Sequence, residues 1–298
     1  MSLAWQQQSE RGSRAGIRVM ARVAQSLGRP VARALLYPIC VYYLLGAGSA
    51  RRAIAQFRER VLGRPAGWRE LFRHYHVFAS TVLDRVYFSG GRFDLFDIRF
   101  HGLDALDREL AKGRGCVLLG AHLGSFEAVR AMGLLDRQLD IRVLMDEHNA
   151  PLIRGLTQAL NPTMADTIIQ TGGVQAMLQV KECLERGGIV GAMGDRVTTQ
   201  DQTVTCAFFG RETRFPTGVI RLARVVQAPV VLFFGIYRGG NRYDVRLESF
   251  DSEACPPHDR RDVDLTHDVQ RYAARLEEVC RLAPDNWFNF YDFWDRSN

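Results

Sequence analysis

Short apolar runs bounded by glycine alternate, along most of the chain, with longer stretches in which apolar residues recur every three or four positions. Cys116-Val117-Leu118-Leu119, released by Gly115 and closed by Gly120, reads as a strand buried on both faces. Ile98–Gly102 before it, and Ile141–Met145, Thr167–Ile169 and Ile189–Ala192 after it, read as further strands, while Val230–Tyr237 and Tyr243–Leu247 pair across Gly239-Gly240. Helical spacing marks residues 68–88, Leu103–Lys112, Phe126–Leu135, Pro151–Leu160, Val174–Arg186, Phe215–Val226 and Leu265–Leu282. Such alternation with short connections predicts an α/β fold, a mostly parallel central sheet flanked by helices. The only linker signal is LGRPAG at residues 62–67, which divides an N-terminal segment, residues 1–66, from a main domain, residues 67–298.

The most apolar stretch, Ala34 to Ala50, runs 17 residues without a charge. A spanning helix needs roughly 20 apolar residues to cross about 30 Å of hydrocarbon, and Pro38 and two glycines interrupt this one. Arginines flank both ends: Arg18, Arg22, Arg29 and Arg33 before it, Arg51, Arg52, Arg58 and Arg60 after it. A simple crossing concentrates them on one side. Symmetric flanks instead favour a segment lying in the membrane plane, its arginines on anionic head groups. A single-pass anchor bounded by Trp5, Tyr37, Tyr42 and Tyr43, and a core helix with a solvated basic face, are the alternative readings.

Composition narrows the classes. With 47% hydrophobic and 24% charged residues, the chain is neither disordered nor fibrous nor a polytopic membrane protein. The net charge of +6 is unevenly placed: residues 1–73 hold thirteen arginines against Glu10, Glu59 and Glu70, a net of +10, which leaves −4 for the remainder. The basic surplus therefore implies no nucleic-acid groove on the main domain. Cys40, Cys116, Cys183, Cys206, Cys255 and Cys280 are scattered, as expected of reduced, buried thiols, and no His/Cys cluster calls for a metal. No redox or other cofactor is called for either. The start of the chain shows no apolar core of a cleavable signal peptide.

The sharpest local feature is Gly120-Ala121-His122-Leu123-Gly124-Ser125-Phe126-Glu127. A strand, a small-residue loop and a helix start follow one another, which puts His122 at the carboxyl end of a parallel strand, where such sheets hold their sites. Glu127, five positions on, is expected to accept a bond from one ring nitrogen, fixing the tautomer and leaving the other as a base. An ordinary capping contact is the plainer alternative. Gly124 is expected to let substrate approach the backbone, with N–H groups at the helix start facing an oxyanion. Ser125 reads as a helix cap and Cys116 as packing. The strand end at Gly191–Arg196 sends Asp195 and Arg196 to the same sheet edge, or makes a plain turn with a salt bridge. Phe208-Phe209-Gly210-Arg211 through Arg214-Phe215-Pro216-Thr217-Gly218 joins exposed-looking aromatics to two arginines, suiting an acyl chain on one side and an anionic head group on the other.

At these residues the chain resembles the bacterial lipid A late acyltransferases of lauroyl/myristoyl type, within the lysophospholipid acyltransferase superfamily. The matching segments are HLGSFE (His122–Glu127), GDR (Gly194–Arg196), AFFGRETRFPTGVIRLAR (Ala207–Arg224) and APDNWF (Ala283–Phe288), and with the N-terminal apolar segment the likeness covers nearly the whole chain. The resemblance implies that residues 67–298 are a catalytic domain and that residues 1–66 associate with the membrane. It implies transfer of a fatty acyl group from acyl carrier protein to a hydroxyl of a membrane lipid, at the cytoplasmic face of the inner membrane. His122 is the implied general base and Glu127 its orienting acid. The implied substrate-binding set is Gly124, Ser125, Asp195, Arg196, Phe209, Arg211, Arg214 and Thr217, with Arg154 a weaker positional match.

The family commonly ends in a Trp-x-His-Arg-Arg type sequence, whereas this chain has Trp287-Phe288-Asn289-Phe290-Tyr291-Asp292-Phe293-Trp294. Aromatics and Asp292 in place of basic residues imply an acceptor less anionic than a lipid A precursor. Such an ending resembles acyltransferases that accompany aryl polyene and xanthomonadin-type pigment assembly, whose donors are also carrier-bound. A hydrolase using the same His–Glu pair on water, and a non-catalytic lipid- or carrier-binding protein, are the competing classes.

Overall fold

Seven strands form the central sheet of the computed structural model, which describes residues 14–134, 139–145, 166–171, 173–198, 201–250 and 265–295. In chain order they are β1 (Asp97–His101), β2 (Cys116–Gly120), β3 (Ile141–Met145), β4 (Ile168–Gln170), β5 (Ile189–Met193), β8 (Val230–Gly239) and β9 (Arg242–Phe250). They lie in the order β1-β9-β8-β2-β5-β3-β4. All neighbours are parallel except β8 and β9, which form a hairpin. The mostly parallel α/β architecture read from the alternating pattern is therefore the one observed.

Alternation along the central strands divides the core in two. Val117 and Leu119 of β2, with Leu232 and Phe234 of β8, face a cluster built on α7 (Thr266–Leu282) and the aromatics after it. Cys116 and Leu118, with Val231 and Phe233, face a cluster built on α3 (Trp68–Ser89) and α4 (Leu103–Leu110). α5 (Gly173–Glu185) and α6 (Gly218–Val225) pack against the first layer.

Two elements depart from expectation. The segment expected as a helix over Phe126–Leu135 is wound more tightly, as a 3₁₀ helix over Glu127–Leu134. Phe215 does not begin a helix; it lies in β7 (Arg211–Pro216), paired with β6 (Thr203–Phe208) in a separate antiparallel hairpin. The hairpin's two turn residues, Phe209 (φ 50°) and Gly210 (φ 71°), both sit in the left-handed region, as a tight turn matched to strand twist requires. A bulky residue is rarely held there; burial of the Phe209 ring against Phe57, Phe208 and Trp294 holds it. The expected helix Pro151–Leu160, with Arg154, lies outside the described residues, as does Cys255.

The apolar N-terminal segment is part of α1 (Arg14–Gly46), which kinks at Gly28 (φ 78°, ψ 171°) and gives way through Ala47 to α2 (Gly48–Leu62), a bend of 93°. No single helix among the described residues is long and apolar enough to cross a membrane. One face of α1 is buried: Ala24, Ala32 and Leu36 pack on Leu83, Val86 and Tyr87 of α3, and Cys40 and Leu44 pack on Ile54, Leu71 and Tyr75.

Several flanking arginines, expected on lipid head groups, turn into the protein instead. Arg29 grips Asp84 at 2.7 and 2.9 Å, and Arg33 donates to Tyr237 Oη at 2.7 Å. Arg51 donates to the Leu44 carbonyl at 2.8 Å, Arg58 ion-pairs with buried Asp285, and Arg60 lies over the Trp294 ring. Arg29 and Arg58 pair the buried carboxylates of Asp84 and Asp285; removing one partner of a buried pair typically costs about 3–5 kcal/mol. Beyond the Gly28 kink, what α1 presents outward is apolar: Val31, Leu35, Tyr42 and Leu45 share one exposed face.

Candidate active site

The parallel register of β2 and β5 sets Gly120 beside Met193, so the residues two positions beyond each strand, His122 and Asp195, emerge side by side. Their side chains meet: His122 Nδ1 lies 2.8 Å from Asp195 Oδ1, and the His122 backbone N–H donates to both carboxylate oxygens at 3.0 and 3.1 Å. A third donor, the Trp287 indole Nε1–H, reaches Asp195 Oδ2 at 3.0 Å. Burial disfavours the Asp195 charge, but His122, Arg196 and Trp287 together hold its carboxyl below the usual carboxylate range. An ionised carboxylate only accepts, so Nδ1 carries the ring proton and Nε2 keeps its lone pair.

His122 remains accessible, its side chain one-third exposed, while that of Asp195 is sealed. Burial and the Arg196 guanidinium push the imidazole below its ordinary pKa, and Arg85 adds to this, against the opposing pull of Asp195. The ring is therefore neutral at neutral pH, as a base must be.

The bond to a ring nitrogen expected of Glu127 is made by Asp195 instead. The 3₁₀ winding after Phe126 leaves the Glu127 carboxylate on Arg85 of α3, 2.6 Å away, and accepting from Ser125 Oγ at 3.2 Å. Ser125 is buried and bonds within this cluster.

Gly124 is needed where the loop crosses β8. With φ at 67° it packs so tightly on β8 that a Cβ there would lie 1.9 Å from the Gly235 carbonyl oxygen. The N–H groups of Gly124 and Ser125 are also occupied, donating to Asn286 O and Gly235 O, each at 2.8 Å. They are not free to meet an oxyanion. The positive field at the imidazole comes from Arg196 and Arg85 instead.

The third segment does not join this pair as expected. Phe208, Phe209 and Phe215 are core residues, and Thr217 bonds Gln202 O through both its N–H and its hydroxyl. Arg211 and Arg214 are exposed on the hairpin. The aromatic ending is likewise interior: Trp287, Phe288, Tyr291, Phe293 and Trp294 are all buried.

What the residue pattern alone did not show is the use of that ending. Leu123 and Trp287 form an antiparallel bridge, the Phe288 N–H donates to His122 O at 2.8 Å, and Arg196 donates to Phe288 O at 2.9 Å. Residues 286–288 strap the histidine loop in place. The available signal was the pairing of two polar residues, Asp285 and Asn286, with large aromatics directly after a helix.

A comparison with curated proteins gives no match. A family model described as bacterial lipid A biosynthesis acyltransferase matches residues 58–296, which take in the whole sheet, the His122–Asp195 pair and the strap across it. By that match this chain belongs to the bacterial lipid A biosynthesis acyltransferase family.

Proposed function

We propose that this protein is an O-acyltransferase that moves a fatty, or related polyene, acyl group from the thioester of acyl carrier protein to a hydroxyl of a lipid or glycolipid. The observation that carries this reading is the His122–Asp195 pair: a neutral, accessible imidazole whose Nδ1 is held by a buried carboxylate. His122 Nε2 takes the acceptor's hydroxyl proton as that oxygen attacks the thioester carbonyl carbon. The tetrahedral oxyanion forms in the field of Arg196 and Arg85. The C–S bond then breaks, and the imidazolium returns its proton to the carrier thiolate, leaving an ester and a free thiol.

The test is incubation of membranes with labelled acyl carrier protein across a range of pH. Expected are a labelled lipid and a rate that falls on acidification with a midpoint below the ordinary histidine value of about 6.5, because burial and Arg196 hold the imidazole neutral to lower pH. Release of free fatty acid at a comparable rate without acceptor would favour a hydrolase. Labelling from acyl-CoA but never from the carrier would overturn the donor assignment.

We place the enzyme at the cytoplasmic face of the inner membrane, attached through α1. The apolar face of Val31, Leu35, Tyr42 and Leu45 supports this more than the arginines, most of which are engaged internally. Burying such side chains is favourable by about 25 cal/mol per Å² of apolar surface, which draws the face into the bilayer interface. Leu35→Glu with Tyr42→Glu is expected to abolish co-sedimentation with phosphatidylethanolamine–phosphatidylglycerol vesicles. Unchanged binding would exclude this face.

A further inference from the structure

We infer that Trp287 is a positioning residue of the transfer centre: its indole N–H holds the Asp195 carboxylate in the orientation that aims His122. The inference rests on the reading of His122 as the base, and on three observations. Both partners are buried, and the N–H meets Asp195 Oδ2 at 3.0 Å, the oxygen other than the one facing His122 Nδ1. The indole cannot swing away, since its ring is wedged between Phe57, Phe208 and Phe293 at 4.8, 5.4 and 4.9 Å. Its backbone is tied to the same loop through the Leu123 bridge and the Phe288-to-His122 bond. A buried indole N–H requires an acceptor and a buried carboxylate requires donors, so each satisfies the other while setting the plane in which Nδ1–H is received.

The other charged or titratable groups facing this pair are Arg196 beside it, Arg85 from α3, Tyr272 and Cys280 from α7, and Tyr291. None of these is altered by removing the indole N–H. Without that donor the carboxylate's charge is less shared, so it attracts the imidazolium more strongly. The His122 titration then moves to higher pH, and the acid limb of the rate moves with it.

Two replacements separate this role from packing: Trp287→Phe, and incorporation of the benzothiophene isostere of tryptophan, which keeps the shape and deletes only the N–H. Expected in both are a kcat lowered by about 10–100-fold, a KM for the acyl donor nearly unchanged, and an upward shift of the His122 ring titration followed by NMR without substrate. An isostere variant with wild-type kcat and an unmoved titration would overturn the inference, leaving Trp287 as core packing only. The titration is read on the resting protein. Retained transfer in His122→Ala would therefore count against the base assignment alone, while the ring shift would still report the Trp287–Asp195 link.

Discussion

Replacing His122 by alanine is expected to lower acyl transfer by about 10²–10⁴-fold with thermal unfolding close to that of the parent protein. The side chain is one-third exposed, and its Nδ1 partner, Asp195, keeps the backbone N–H of residue 122 and the Trp287 indole as donors. The loss should therefore appear in kcat and leave the fold intact. Residual transfer would reflect alignment of donor and acceptor, which a missing base does not disturb. A folded His122→Ala protein that transfers at the original rate would remove the imidazole as the base.

A loss of the same order is expected for Asp195→Asn, for a different reason. The carboxylate accepts from three N–H groups, and an amide in its place must turn its own NH₂ toward at least one of them. Where that NH₂ faces the imidazole, Nδ1 becomes the acceptor and the proton moves to Nε2, so the ring no longer serves as a base. The His122 titration should also fall to lower pH, because the negative charge that raised it is gone. Glu127→Gln is the informative contrast. It loosens Arg85 and Ser125 but removes no bond to the ring, so the His122 titration should move less than in Asp195→Asn. NMR of the imidazole in the two variants separates the assignments, and a titration that moves with Glu127 but not with Asp195 would reverse them.

The fold was legible where local pattern and burial coincide. Cys116–Leu119 announced itself as a central strand because parallel strands covered on both faces carry unbroken apolar runs. Asp195 and His122 were both readable as strand-end residues on one edge. Which acid serves the histidine was not readable, because Glu127 is near in sequence whereas Asp195, 73 residues away, is brought in by the β2–β5 register. The β6–β7 hairpin was hidden by its turn, where phenylalanine stands in a left-handed position that Asn or Gly would have advertised. The arginines around α1 misled for a related reason. Charge in a sequence looks solvent-bound until a buried acid such as Asp84 or Asp285, distant along the chain, is found to claim it.

The strap over the histidine loop also imposes an order in time. Trp287 follows Asp195 by 92 residues, so a chain emerging from the ribosome has released both reactive side chains well before the residues that secure them. At typical synthesis rates that interval is on the order of ten seconds. β8 and β9, which complete the sheet, also emerge within that interval, and the clasp comes last. A chain stopped before residue 286 would carry His122 and Asp195 without the strap that ties their loop.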